Sequence, residues 1–516
     1  MAIIIWTRIL TKKRRYTMDY AEKEIEKIKS KSKIVNWISP LDNEISFTIP
    51  HTVYPPREDT YLLAETIRNL GQGNSRQLLE IGCGSGVVSL FASNLGWNVV
   101  GCDINPLAVA TSRGLAKQLK NRDVKFIEGG IEPQNTSDSN VFNEGPFDLI
   151  VWNLPYLKKP KKDEFLGPME EASLSDIGDL KTKKIHQLLL DKIEKFDALK
   201  HNGLIILIHS DEDEGKFITT ECRKMGWATR EINHKYFENG EKIISSAIWK
   251  PWANGKFISL DTVNSTNSFL LEGSFPVGTL VTTQNQTEGR GQRRNKWKHF
   301  EGGWCGSWKI SMGESSPAVI QAKAALAVIE AIAIIKSIPL PTFDLVSMSN
   351  FLKSGISVKW PNDILMHNKK FCGILCEART QGKVTNCVVG IGCNISDNKG
   401  EIASNNDYIA TSLSALGEIN VAEWTQVLNA SISSQLEKHE LVKLNNEPEV
   451  ITSWWQSMVN FNRNHKLLIN GVEHRVCCLN SDGSLELINS GYEAKSIINL
   501  RDCVDCEWVE IHTKSS

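Results

Sequence analysis

Between Gln77 and Lys250 the chain alternates short apolar runs rich in β-formers with segments of helical period. The runs are Leu78 to Ile81, Val99 to Cys102, Val124 to Ile127, Leu149 to Trp152 and Leu204 to His209. Strands that are apolar on both faces must be covered on both, and the intervening helices supply the cover, so the alternation predicts a parallel, doubly wound sheet. At its end, Thr229 to Phe237 and Lys242 to Trp249 flank Glu238-Asn239-Gly240, a hairpin turn signal, so the sheet should finish antiparallel. Pro251 to Gly255 then reads as a linker.

The pattern changes after the linker. Strands and helices mix to about Asn460, and short strands with turn signals at Asn470-Gly471 and Asp482-Gly483 follow, which predicts an α+β domain with a small β-barrel cap. At 516 residues the chain exceeds one typical core. Its divisions fall at 1–36 (an N-terminal tail or helix), 37–250, 257–460 and 461–516. The apolar stretch Ala318 to Ile338 follows Pro317 and is interrupted by Gln321, Lys323, Glu330 and Lys336, so it should be a core helix rather than a membrane span. Ala2 to Leu10 precede the basic run Lys12 to Arg15, the reverse of a secretory signal. The cysteines sit mostly inside apolar runs, as reduced thiols of a cytoplasmic protein do.

Leu79-Glu80-Ile81-Gly82-Cys83-Gly84-Ser85-Gly86 places glycines between a strand and a helix, where absent side chains let a cofactor approach the backbone. The next strand delivers Asp103 at its carboxyl end, where a carboxylate can accept both hydroxyls of a ribose. A later strand ends in Asn153-Leu154-Pro155-Tyr156. An amide and adjacent carbonyls at such an end can accept hydrogen bonds from a planar amide or amine, holding its nitrogen in line with a sulfonium methyl. With Val53-Tyr54-Pro55-Pro56-Arg57-Glu58-Asp59-Thr60, these motifs make the segment from about Val53 to Lys250 resemble a HemK-like class I S-adenosylmethionine-dependent methyltransferase, a Rossmann-like fold that methylates glutamine amides of release factors.

The resemblance implies that Thr60, Glu80, Gly82, Gly84, Asp103, Asn153, Pro155 and Tyr156 meet the cofactor, and that Asn153 also positions the acceptor amide. Leu154 stands where the family has proline, which restores a backbone N–H and should loosen the turn. The acidic residue that reads adenine is not evident either, since Glu128 precedes Gly129 and Gly130. A nucleic-acid adenine or a lysine amine stays open as acceptor. So does a degenerate domain that only presents a partner. With 59 Lys plus Arg against 60 Asp plus Glu, the chain has no overall charge bias toward nucleic acid.

In the second half, Gly289-Arg290-Gly291-Gln292-Arg293-Arg294-Asn295-Lys296-Trp297 is a glycine-opened cationic loop that an anion could order. Ser357-Val358-Lys359-Trp360-Pro361-Asn362-Asp363 carries a lysine on a strand, costly to bury without an anionic partner. Lys370 to Glu377 and Val388 to Asn394 read as core strands whose glycines permit close approach. Together with Asp261 to Asn267, these motifs resemble a biotin protein ligase over about Phe257 to Ile511, its last fifty residues resembling the family's SH3-like cap.

That likeness implies activation of biotin by ATP with Mg as biotinyl-adenylate, then transfer to a lysine of a biotin carboxyl carrier domain. Ser265, Thr266, Asn267 and Gln286 would bind the biotin head group. Arg290, Gly291 and Gln292 would close over biotin and adenylate, and Lys359 would be the main catalytic residue, facing the carboxylate and α-phosphate. Gln292 replaces an arginine of many members, so retention of the intermediate should be leakier. No helix-turn-helix pattern precedes Phe257, so a DNA-repressor role is not expected, and neither is a membrane partner. Cys477, Cys478, Cys503 and Cys506 lack a histidine to complete a zinc site, so no metal centre is expected.

Overall fold

The computed structural model describes residues 32–131, 141–155, 183–237, 240–291, 296–311, 315–340, 345–381, 384–397, 400, 402, 410–443, 447–489, 495–498 and 506–511. They form two compact units that divide near Trp249.

The first unit opens with an antiparallel pair, β1 (Lys33–Ile38) and β2 (Glu44–Ile49). Residues 33–36, at the end of the expected tail, are thus strand. They belong there because Trp37 is fully buried and meets Phe91 edge to face at 6.1 Å. Next come α1 (Glu58–Leu70), β3 (Gln77–Ile81), α2 (Val87–Asn94), β4 (Asn98–Asp103), α3 (Pro106–Gln118), β5 (Lys125–Glu128) and β6 (Phe147–Asn153). The unit finishes with α4 (Ile185–Phe196), β7 (Leu199–Ser210), α5 (Ile218–Lys224), β8 (Ala228–Tyr236) and β9 (Lys242–Trp249).

Seven of these strands form one sheet in the order β5-β4-β3-β6-β7-β9-β8. The first five run parallel and β9 returns antiparallel to β7. Leu149, Ile150 and Val151 of β6, and Leu204 to Ile208 of β7, are fully buried, as central strands covered on both faces require. The doubly wound expectation and its antiparallel finish therefore hold. Of the expected turn, Glu238 and Asn239 lie outside the described residues, while Gly240 adopts φ +86° and its N–H donates to Phe237 O at 2.9 Å.

The second unit begins sooner than a linker would allow. Trp252 is buried in its core, and the Trp252 N–H donates to Glu437 Oε2 at 2.9 Å. The elements that follow are β10 (Phe257–Leu260), α6 (Thr266–Glu272), β11 (Leu280–Thr283), β12 (Gly303–Ile310), α7 (Pro317–Lys336), α8 (Leu345–Lys353), β13 (Ile356–Lys359), β14 (Asp363–Met366), β15 (Lys369–Gln381), β16 (Val384–Asn394), α9 (Val421–Leu436) and α10 (Glu447–Asn464).

Its main sheet has the order β10-β11-β12-β16-β15-β14-β13, antiparallel except for β10 with β11. Strand alternation assigns Val389 to the large core beneath α7, α9 and α10, and Val388 to a small cluster with Leu270 of α6. The face that α6 partly covers carries mostly small residues in register. Ser307, Gly390 and Leu375 form one row, and Cys305, Gly392 and Gly373 the next. α7 is long and apolar enough to cross a membrane by length and composition, but it is buried almost all round in the core, with Ser316 capping it and Pro317 in its first turn.

Strands β17 (His465–Ile469), β18 (Val472–Leu479), β19 (Leu485–Asn489), β20 (Lys495–Ile498) and β21 (Cys506–Glu510) form a five-stranded antiparallel sheet in the order β20-β19-β18-β17-β21. The first hairpin turns through Asn470 and Gly471, both at positive φ, as a two-residue connection demands.

Candidate active sites

A cavity of about 400 Å³ opens at the carboxyl ends of β3, β4 and β6. The glycine loop is its floor. Gly82, Gly84 and Gly86 have φ of +67°, +53° and +81°, and a Cβ on Gly86 would stand 2.8 Å from the Ser112 side chain and 3.0 Å from the Phe126 ring. No other residue fits there without displacing α3 or β5. Asp103 is buried, and its oxygens accept from Gly84 N–H at 2.9 Å and Asn105 N–H at 2.8 Å. Burial raises its carboxyl above the usual range and these two bonds oppose the rise. Each oxygen keeps a lone pair, which two ribose hydroxyls require. Asn105 caps α3 and donates from Nδ2 to Thr52 O at 2.8 Å, drawing the segment that bears Tyr54 and Arg57 over the cavity.

Glu80 lines the cavity from β3, is buried, and accepts a short hydrogen bond from Ser89 Oγ of α2. Burial pushes its carboxyl up to about 8, against the Ser89 bonds that lower it. Asn153, at the end of β6, has a different environment. Its Oδ1 is buried and has no hydrogen-bond partner among the described residues. A buried acceptor left unmet costs about 1–3 kcal/mol, so it marks a place where a donor is expected to arrive. Leu154 corrects the expected loosening of the turn. Its N–H donates to Ile208 O at 3.0 Å and its side chain is buried, so the residue extends the β6–β7 pairing. Glu128 is exposed at the end of β5 and does not line the cavity.

A second cavity, of about 410 Å³, lies on the α6 face of the second sheet. Ser265, Thr266, Asn267, Gln286, Arg290, Gly291 and Lys359 all line it, although 94 residue positions separate Ser265 from Lys359. Ser265 caps α6, which fixes the next two side chains. Thr266 donates through its N–H and its Oγ1 to Gln286 Oε1, at 2.8 and 3.0 Å. Gln286 Nε2 donates to Cys305 Sγ at 3.1 Å, leaving its other hydrogen for the cavity. Ser307 Oγ lies 2.7 Å from Thr266 Oγ1 and 2.6 Å from Asn267 Oδ1. Asn267 Nδ2 donates to Glu377 Oε2 at 2.7 Å and Leu375 O at 3.3 Å. Both of its amide hydrogens are thus engaged, and only the carbonyl side of Asn267 remains for a ligand.

Arg290, Lys296, Lys298, Lys359 and Lys370 make the rest of the lining cationic. Lys359 is half-buried, makes no hydrogen bond or ion pair among the described residues, and has its ammonium lowered by burial, with Asp363 opposing and Lys370 adding to the shift. Asp363 instead pairs with Lys370 at 2.6 Å. Trp297 lies against Gly373 and Gly392, where a Cβ would come within 2.9 and 2.6 Å of the indole. The bare strands therefore seat an aromatic wall.

Thr60, Glu80, Gly82, Gly84, Asp103, Asn153 and Pro155 gather around the first cavity, whereas Tyr156 lies outside the described residues. In the second, Gln292 lies outside them. Sequence reading missed Ser89, Cys305, Ser307 and the role of Glu377, and missed Trp508 of β21, which also lines the second cavity. Only strand register could have exposed Ser307 and Cys305, opposite Gly390 and Gly392. Among the described residues no group of three or more His, Cys, Asp or Glu side chains could hold a metal. The cysteines whose side chains are described are free thiols.

Two family models match the chain: the biotin/lipoate A/B protein ligase family over residues 255–394, and a methyltransferase domain over residues 78–172. A putative protein N5-glutamine methyltransferase of Methanocaldococcus jannaschii is 38% identical over 202 residues, which is 38% of this chain and 92% of that protein. A bifunctional ligase/repressor BirA of Bacillus spizizenii is 31% identical over 212 residues, 38% of this chain and 61% of that protein. The chain spans 46% of the corresponding Bacillus subtilis protein. A biotin protein ligase from Aquifex aeolicus, solved with biotin and ATP, is 24% identical and aligns over 50% of this chain and 99% of its own, with a TM-score of 0.38.

Proposed function

Because the chain belongs through its first half to the HemK-like methyltransferase family and carries a biotin/lipoate protein ligase domain in its second, we propose that it is a bifunctional protein-modifying enzyme. The ligase joins biotin to a lysine of a biotin carboxyl carrier domain. The methyltransferase methylates the side-chain amide of a glutamine in a translation release factor.

The ligase reading rests on one observation: the head-group residues Ser265 to Asn267 share a cavity with Lys359, a half-buried cation that forms no ion pair among the described residues. ATP with Mg, when bound, supplies the adenylyl group. Lys359 places fixed positive charge where negative charge accumulates on carboxylate and α-phosphate, and Arg290 approaches from the loop side. Thr266 and Gln286 orient the head group through the polar contacts they keep open.

S-adenosylmethionine supplies the methyl group at the other site. Asp103 fits its ribose, and Asn153 Oδ1 accepts from the acceptor amide, holding the nitrogen at the methyl. A scaffolding role for this half would follow from a loosened turn, yet the Leu154 N–H is paired and Asn153 stays at the strand end. Residues 33–250, 252–464 and 465–511 serve as methyltransferase, ligase and SH3-like cap of a cytoplasmic enzyme.

Two assays on purified protein test this. Biotin-dependent release of pyrophosphate from ATP is expected, as is mass-spectrometric addition of one methyl group to a glutamine peptide but none to adenine-containing DNA. Methylated adenine would replace the amide reading, and absence of biotin-dependent pyrophosphate would remove the ligase reading.

A further inference from the structure

Glu377 stands on β15 in the row after Leu375, on the cavity face of the sheet. Its two oxygens point at different groups. Oε2 accepts from Asn267 Nδ2 at 2.7 Å, and Oε1 lies 3.4 Å from Arg290 Nη1. Asn267 is buried above Gly390, where a Cβ would meet its Oδ1 at 2.2 Å, and Ser307 holds the amide from the other side. Leu375 O and the Glu377 carboxylate are both acceptors only, so the amide has a single orientation, nitrogen toward β15 and oxygen toward Ser307. Arg290 is half exposed, so its pairing with Glu377 is a weak, salt-screened contact.

We propose that Glu377 is a positioning residue of the ligase site, one carboxylate that sets both the head-group cradle through Asn267 and the starting position of the phosphate-facing loop through Arg290. The proposal rests on the ligase reading above. Two oxygens of one side chain impose a division of labour. The bond to Asn267 is part-buried, short and charge-assisted, so it governs biotin affinity. The contact with Arg290 is long and solvent-exposed, so it governs how the loop retains the adenylate.

Glu377→Ala and Glu377→Gln separate the two roles in the full-length protein. Biotin affinity is measured by titration calorimetry, and escape of biotinyl-adenylate by single-turnover release without acceptor, at low and high salt. Glu377→Ala should weaken biotin about tenfold, the value of a charge-assisted hydrogen bond. Glu377→Gln still presents an amide oxygen to Asn267, so biotin affinity should stay within about threefold, while adenylate escape should rise about twofold to fivefold and that rise should vanish at high salt. Glu377→Ala binding biotin as tightly as the natural protein would overturn the proposal, as would a Glu377→Gln release rate equal to it at low salt. A natural protein that binds no biotin would instead overturn the ligase reading, and with it this one.

Discussion

Replacing Asn153 with alanine should make the empty protein no less stable while removing methyl transfer. Burial of Asn153 Oδ1 without a partner among the described residues costs about 1–3 kcal/mol. Truncation to alanine removes that penalty and loses side-chain packing on the order of 1 kcal/mol. The balance favours the variant by about 0–2 kcal/mol, so the first unit's apparent melting temperature should stay level or rise by up to about 8 °C. Catalysis has no such compensation. Without the acceptor the substrate amide loses its orientation, and the rate should fall by about 100-fold to 1000-fold. S-adenosylmethionine affinity should change far less, because Asp103 and the glycine loop are untouched. Differential scanning fluorimetry and methyl transfer to a glutamine peptide read the two quantities. A melting temperature lowered by more than about 4 °C would mean that Oδ1 is structural, and a rate within threefold of the natural protein would mean that it does not position the acceptor.

Two further perturbations follow from the same geometry. Glu80 is raised from its ordinary 4.5 to about 8, so the folded protein holds a proton that the unfolded chain loses on passing pH 4.5, and stability should decline as pH rises from about 4.5 to 8 and level off above it. Glu80→Gln should remove that decline, and parallel melting profiles of the two proteins across this window would contradict the assignment. Gly390→Ala places a Cβ 2.2 Å from Asn267 Oδ1, so the cradle must shift; biotin affinity should fall at least about tenfold and the second unit should lose about 1–3 kcal/mol. Unchanged biotin titration in that variant would show that Asn267 is free to move.

What could be read from sequence was what is local in sequence. A glycine cluster after an apolar run dictates a strand, a tight turn and a helix, and the structure puts Gly82, Gly84 and Gly86 at positive φ there. Alternation of strand and helix foretold the parallel sheet, and the Asn-Gly pair foretold the two-residue turn at Asn470-Gly471. Pairing partners were not legible. Ser307 reaches Asn267 only because β12 lies beside β16 in a register that sets Ser307 opposite Gly390, and no short-range pattern encodes that match. Glu377 looked like the polar end of a core strand, and its role appears only when Asn267 and Arg290 arrive from elements about 90 to 110 positions earlier. Leu154 was misread for a related reason. A restored N–H loosens a turn only if nothing accepts it, and Ile208 O, on the neighbouring strand, does.

Biotin transfer to a carrier domain by the natural protein beside its Lys359→Ala variant tests the central claim most directly, because Lys359 is the half-buried cation around which the second site is built. The account expects transfer by the natural protein and a loss of at least about 100-fold in the variant, with biotin still bound. A variant that transfers biotin within about threefold of the natural protein, or a natural protein that transfers none to a carrier another ligase can modify, would contradict it.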